Sequence, residues 1–343
     1  MSDAPAPEAF ADADALESFM TAPSAALVAD LQRAPGTLAV LGVGGKMGPT
    51  LARLAKRADP ARRVIGVARF SEPRLRERLE SQGVECVAAD LLDPRALDAL
   101  PDAENIVFMA GRKFGSAGDM PLTWAMNVLM PARVAQRYAR SRIVAFSTGC
   151  VYPFVPVTGP GADEDLPVDP PGEYAWTCVG RERAFQHGSQ AFGTPGRLFR
   201  LNYAIDMRYG VLHDIARKVL AGEPIDIAMG WCNVIWQGDA NTLALRALAH
   251  CTTPTSPINV SGATFLRVRD VALAFGERFG RMPRFTGTEA PTAWLTDTRR
   301  AQALFGAPTV ATAVMIDWTA DWLRRGGASL GKPTHYEARD GRY

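Results

Sequence analysis

The chain has 343 residues, 47% of them hydrophobic, and a formal net charge of +2 at pH 7. That apolar share can bury a large core and excludes a disordered or fibrous chain. So small a net charge gives no reason to expect a nucleic acid or an anionic membrane as partner.

Residues 1–36 are rich in Ala, Pro, Asp and Glu and read as an arm laid on the rest or mobile, with a short helix at 24–32 between Pro23 and Gly36. No Lys or Arg precedes Arg33, so a chain without a secretory signal peptide is expected. Strand-like runs then fall at 37–41, 63–68, 84–89, 105–110 and 142–147, and Met47, Leu51 and Leu54 share one face of a helix between the first two. After residue 200 the pattern loosens: strands are expected at 197–201 and 258–260, and helices at 212–221, 241–250, 268–279 and 313–325. Short apolar strands separated by helical patterns mean βαβ units and a parallel sheet. No apolar run approaches the ~20 residues that span a bilayer. The five cysteines (86, 150, 178, 232 and 251) are odd in number and lack CxxC spacing, which points to reduced thiols and a cytoplasmic protein.

Gly42, Gly45 and Gly48 follow the first strand and open a helix, with Lys46 and Met47 between the last two. Missing side chains let a backbone turn tightly against a pyrophosphate, and the helix N-terminus offers amide donors and a positive dipole. A Walker A loop does not fit, because Val40 stands where its first glycine belongs and Met47 follows Gly45-Lys46. In this strand–helix setting the turn predicts a dinucleotide, although a glycine-rich turn without ligand is the alternative.

The glycine spacing G-x-x-G-x-x-G resembles that of the extended short-chain dehydrogenases/reductases, the NAD-dependent epimerase/dehydratase family. Asp90-Leu91 is similar to the family's adenine-contacting pair, and Met109-Ala110-Gly111 to its segment beside the adenine-side ribose. Asn127 matches an asparagine of the next helix. Residues 147–152, Ser-Thr-Gly-Cys-Val-Tyr, are similar to S-[ST]-x-x-V-Y. Glu164 to Pro167 resembles the loop before the catalytic tyrosine, and Glu182 a glutamate after it. Gly222 to Ile225 and Gly238-Asp239 fit further family positions, so the likeness runs from about residue 37 to 326.

The resemblance implies a Rossmann-type α/β fold, a doubly wound parallel sheet with a smaller C-terminal substrate lobe. Its parts would be an arm at 1–36, an NAD(P)-binding domain at 37–200 to which strands near 232–260 return, a substrate lobe from 201–231 and 261–326, and a tail at 327–343. It also implies a homodimer and a sugar-like small-molecule substrate. Ala68 and Arg69 stand where NAD enzymes carry a carboxylate, and with Lys46 nearby this favours NADP over NAD; a solvated Arg69 is the alternative.

By the same resemblance Tyr174 is the general acid/base and Thr148 orients the reacting oxygen. The family's Tyr-x-x-x-Lys is broken, because Cys178 replaces the lysine. A thiol cannot stabilise a phenolate as an ammonium does, and each unit of lost pKa depression is worth ~1.4 kcal/mol. Arg112, Lys113 and Arg181 are candidate replacement cations. Arg181 lies about 10 Å along the helix axis from Tyr174, so Lys113, at the end of the fourth strand, is the better candidate. Ser147, Lys113 and Asn202 are assigned to the substrate side. Two readings follow: an NAD(P)-dependent epimerase, dehydratase or dehydrogenase acting on a sugar-like hydroxyl, or a non-catalytic NAD(P)-binding sensor or scaffold protein.

Other features carry less. Arg208 and Arg217 either grip an anionic group or are solvated charges. Trp318 and Trp322 are expected to pack a helix face. The four histidines show no metal-binding spacing, so no metal is expected. Ser116 is not a nucleophile elbow, since the first glycine of G-x-S-x-G is missing.

Overall fold

The structure, a computed structural model, describes residues 6–113 and 118–341; Ser116 lies outside them. Seven strands form one parallel sheet: β1 (Leu38–Leu41), β2 (Val64–Ala68), β3 (Glu85–Ala88), β4 (Asn105–Phe108), β5 (Arg142–Thr148), β6 (Gly196–Leu201) and β7 (Ser256–Val260). Their spatial order is β7-β6-β5-β4-β1-β2-β3, with Val40 of β1 level with Gly66 of β2 and Val107 of β4. The sheet order reverses at β1, which opens a crevice between the C-terminal ends of β1 and β4.

Side chains of the strands alternate between two cores. Leu38, Val40 and Val107 point to one face, Ala39, Leu41 and Ile106 to the other. Helices cover both, as a doubly wound sheet requires. On the first face lie α2 (Ala25–Arg33), α3 (Gly48–Ala58) and α10 (Gln237–Arg246). On the second lie α5 (Pro94–Asp98), α7 (Met130–Arg137) and α8 (Glu173–Phe192). Along the chain α4 (Pro73–Ser81) follows α3, and α6 (Met120–Trp124) precedes α7.

A third core is built from α9 (Val211–Ala221), α11 (Val268–Phe279) and α13 (Thr312–Arg324), with α12 (Arg299–Phe305) packed beside β7. Trp318 and Trp322 are buried here, as the spacing anticipates; Trp318 Nε1 donates to Pro7 O and Trp322 Nε1 to Ala328 O.

The N-terminal arm is more structured than its composition suggests. Besides α2, close to the expected 24–32, it forms α1 (Ala13–Met20), capped by Asp12 Oδ1 accepting from Ala15 N. Leu27 and Leu31 enter the sheet's core, while Phe10, Leu16 and Met20 enter the α9–α11–α13 core. The arm therefore bridges both bodies.

Candidate active site at the strand ends

The glycine turn links β1 to α3 and faces the crevice. Gly42 has φ +92°, and a Cβ there would meet Ala110 N at 2.6 Å. On Gly48 a Cβ would strike Val43 O at 2.3 Å, so that glycine lets α3 close on the turn. Gly45 is different: it is exposed, and a Cβ would meet only Gly42 O at 3.5 Å. The fold needs glycine at 42 and 48, whereas at 45 it would tolerate a Cβ, and the bare turn leaves room for a ligand. Residues of the turn thus fit a dinucleotide's phosphates.

Lys46 does not point outward from this turn. Its Nζ sits 3.0 Å from the ring centroid of Tyr209, which precedes α9. Burial, with the charges of Lys113 and Lys332, pushes its pKa down to about 7. Arg69, in contrast, is exposed at the end of β2, and the half-buried Met47 packs on the sheet's first core. Asp90 is exposed and its Oδ1 accepts from Leu92 N, while Leu91 is buried. Ala110 lines the turn, and Gly111 lies beside the Arg181 guanidinium, whose Nη2 would be 2.5 Å from a Cβ.

Asn127 sits in a single π-helical turn, Ala125–Leu129, between α6 and α7. Its Oδ1 accepts from Arg112 N and Arg181 Nη2, and its Nδ2 donates to Arg112 O and Thr177 Oγ1. One side chain thereby fixes the loop after β4 against α8, and the π-bulge aims it there. Arg181 also donates to Phe146 O. Held this way, its charge pulls down the pKa of both Tyr174 and Cys178, so its side chain does reach back along the helix.

Tyr174 and Cys178 are both buried, one turn apart on α8. The Tyr174 hydroxyl and the Cys178 thiol lie close enough to influence one another. Burial first, then the two nearby thiols of Cys178 and Cys150, hold the Tyr174 pKa well above 10. Lys113 lies near Cys150, Cys178 and Asp214, and its pKa is pulled down by burial. Thr148 ends β5 and its Oγ1 accepts from Cys150 N, closing the turn that carries Cys150. Tyr174, Cys178, Cys150 and Lys113 therefore gather where β4 and β5 end.

Two residues expected on the substrate side are turned inward. Ser147 Oγ donates to Glu182 Oε1 at 2.6 Å. Glu182 is also paired twice with Arg200, which donates to Tyr152 Oη, and Tyr152 donates to Asn259 Oδ1. Asn202 Nδ2 donates to Asn233 Oδ1 and Trp294 O behind Gly149. Both serve the architecture, because buried polar groups must find partners. Arg208 is likewise committed, to Asp206 and to Glu17 of the arm, and Arg217 pairs with Glu223 in solvent.

Cys150, Asp214, Tyr203 and Tyr209 lie close to this group and escaped the sequence reading. Tyr203 carries an unusual φ of +45° and lies near Cys150 and Tyr209. Cys150 sits inside a motif already noticed, whereas nothing in the local sequence marks Asp214 or Tyr209. Among the described residues no group of His, Cys, Asp and Glu could hold a metal, and no helix is long and apolar enough to cross a membrane.

The fold has clear counterparts. A UDP-glucose 4-epimerase from Thermotoga maritima, solved with UDP-glucose, is similar over 84% of this chain and 99% of its own, at 16% identity and TM-score 0.71. A UDP-glucuronic acid 4-epimerase from Bacillus cereus, in complex with UDP-glucuronic acid and NAD, covers the same shares at 17% identity and TM-score 0.69. The Thermus thermophilus UDP-glucose 4-epimerase in complex with NAD is 20% identical, again over 84% and 99%, with TM-score 0.68. No curated protein sequence matches the chain. Residues 38–256, from β1 into β7, match the NAD dependent epimerase/dehydratase family, and the chain belongs to that family.

Proposed function

We propose that the protein is an NAD(P)-dependent epimerase, dehydratase or dehydrogenase of the short-chain dehydrogenase type, acting on a sugar-like hydroxyl. The observation that carries this reading is the meeting of Tyr174, Cys178, Cys150 and Lys113 beside a glycine turn fit for a dinucleotide. Family membership supports it, as do the nucleotide sugars and NAD bound to the similar structures. A small sugar-like substrate, a cytoplasmic setting and a homodimer complete the proposal by family likeness.

Gly42, Gly45, Gly48 and the start of α3 would hold the cofactor's phosphates, and Ala110 with Gly111 its adenine-side ribose. The bound nicotinamide supplies the hydride acceptor or donor. Arg69, with no carboxylate at the end of β2, favours NADP over NAD. Tyr174 moves the proton at its Oη, and Thr148 Oγ1 orients the same substrate oxygen.

The missing lysine alters which half of this work comes easily. A buried Tyr174 with its pKa well above 10 is protonated at neutral pH, so giving a proton needs no change of charge. Accepting one requires a cation to hold the phenolate. Arg181 acts on Tyr174 already, and Lys113, beside Cys178, is the second source.

The experiment is single-turnover absorbance at 340 nm. Protein loaded with NADP⁺ or NAD⁺ is mixed with nucleotide sugars, free sugars and sugar acids, with Tyr174→Phe alongside. A rise that depends on Tyr174 is expected. A second reading, a non-catalytic NAD(P)-binding sensor or scaffold, draws on Cys178 standing in the lysine position beside a protonated Tyr174. It predicts tight cofactor binding and no absorbance change with any member of the panel.

A further inference from the structure

A second cleft, which shares no lining residue with the strand-end site, runs along α10. Gly238, Thr242, Leu243 and Arg246 form its floor, spaced so that they share one face of the helix over about 12 Å. One wall is the arm, from Phe19 of α1 to Ala26 of α2, and the other is the connection from α12 to α13, with Phe305 and Thr309. The space is about 180 Å³ and opens past the exposed Ala26 and Ala307. An apolar protein cavity of about 150 Å³ takes a benzene ring, so one aromatic ring with a small substituent fits here.

Trp236, just before α10, closes one end of the cleft. It is 2% exposed, and Phe10, Phe19 and Trp318 hold its ring with centroids 6.5, 6.3 and 5.5 Å away. Its Nε1 lies over Gly238 of the floor, where a Cβ would come within 2.4 Å of it. Buried indole N–H groups ordinarily find an acceptor. Trp294 Nε1 donates to Tyr152 O, Trp318 Nε1 to Pro7 O and Trp322 Nε1 to Ala328 O. Trp236 Nε1 alone of these four has no acceptor among the described residues. Beside it, no side chain caps the first turn of α10, which leaves amide donors and the positive end of the helix dipole at the same end of the cleft.

The charges around the cleft are already committed. Asp239, 7% exposed, accepts from Thr309 N, Thr309 Oγ1 and Val310 N. Arg246 is paired with Asp30 and donates to Phe305 O. An anion would be repelled by the Asp239 carboxylate, and a cation would bring no acceptor to Trp236 Nε1.

We propose that this cleft is a ligand site for a small neutral aromatic molecule bearing a carbonyl-type oxygen. The oxygen accepts from Trp236 Nε1, and the ring packs against Phe19, Leu243 and Phe305. The site does not depend on the chemistry proposed for Tyr174.

The chain has seven tryptophans, and Trp236→Phe identifies the Trp236 resonance in an indole N–H correlation spectrum of the full chain. Titration with acetophenone is expected to move that resonance saturably, with a Kd of about 1 mM. Ethylbenzene, similar in shape without the acceptor, should bind about fivefold more weakly, as the loss of one neutral hydrogen bond implies. Benzoate and benzylammonium should bind at least tenfold more weakly than acetophenone. In Trp236→Phe, acetophenone and ethylbenzene should bind alike. Thr242→Phe fills the cleft from its floor and should abolish binding with the melting temperature unchanged or raised. If Trp236→Phe misfolds, saturation transfer from the protein to acetophenone, compared between Thr242→Phe and the parent, decides; if Thr242→Phe misfolds, the order of the four ligands decides. An unmoved Trp236 resonance overturns the site. So does ethylbenzene or either ion binding as well as acetophenone, or binding undiminished in Thr242→Phe.

Discussion

The Tyr174 hydroxyl lies beside the Cys178 thiol, one turn further along α8, where a close cation would ordinarily stand. Burial and the neighbouring thiols of Cys178 and Cys150 favour neutral Tyr174, and Arg181 opposes them. The site is therefore set with its proton on, which makes Cys178 the position where the chemistry is most open to change.

Cys178→Lys is expected to lower the Tyr174 pKa and raise the base half-reaction at neutral pH by about tenfold or more, a lost pKa unit being ~1.4 kcal/mol. The check is the 340 nm amplitude and rate from pH 6 to 10. Lys113→Ala in the native background is expected to slow the same step; no change would discard Lys113 as a contributing cation.

Lys46 gives a second, separate pH dependence. In the ligand-free protein it titrates at about 7, among Lys113, Lys332, Asp214, Asp206 and the ring of Tyr209. It is charged below that value and neutral above, and an anion prefers the charged form. NADP⁺ affinity should therefore fall as pH rises through about 7, and Lys46→Gln should flatten that part of the profile. Isothermal titration between pH 6 and 9 measures it.

The glycine turn predicts a clean division of effects. Gly48→Ala drives a methyl into Val43 O and should cost about 1–3 kcal/mol of stability. Gly45→Ala meets only ordinary contact, so its stability should stay within ~0.5 kcal/mol of the parent. Dinucleotide affinity should nevertheless drop at least tenfold in Gly45→Ala. Urea melts and a binding isotherm on both variants separate the two roles.

Glu182 and Arg200 form a buried pair with side chains 1% and 4% exposed. Removing either charge alone, as in Glu182→Gln or Arg200→Met, strands its partner and should destabilise by about 3–5 kcal/mol. Ser147→Ala, which deletes only one donor to Glu182, should cost about 1–3 kcal/mol. Chemical denaturation ranks the three, and equal effects would break the account of a single network.

Stability should also decline at high pH. Burial raises Cys232 and Cys251 to about 12, and Tyr152 to about 12. The unfolded chain releases these protons near 9 for the thiols and 10 for the phenol. Folding then binds the extra protons between those values and 12, so stability present below about pH 9 is lost as pH rises towards 12. Melting temperatures from pH 7 to 11 test the sign.

Much of this was legible in the sequence. The seven strands stood out because parallel strands buried on both faces are short apolar runs, and the glycine turn because its spacing carries a steric demand. Long-range partnership was not legible. Ser147 and Asn202 sit in suggestive motifs, yet whether a polar side chain faces a crevice or a buried acid depends on Glu182 and Asn233, many residues away. Arg181 looked too distant by helical rise alone, since axial distance ignores how far a guanidinium bends back. Helix α1 hid in an Ala- and Asp-rich arm, and the contacts of Thr334, Tyr336 and Arg339 in a stretch of Gly, Pro and charges with no periodicity.

Phe10 packs edge-on to Trp318, and Trp318 Nε1 reaches Pro7 O across 311 residues of sequence. A ribosome makes Phe10, Leu16 and Met20 long before it makes α13, and chains emerge at ~5–20 residues per second. Those apolar side chains must wait tens of seconds for the surface that covers them. The C-terminal body therefore cannot finish assembling until α13 has been made, and α1, translated long before it, is among the later elements to find its place.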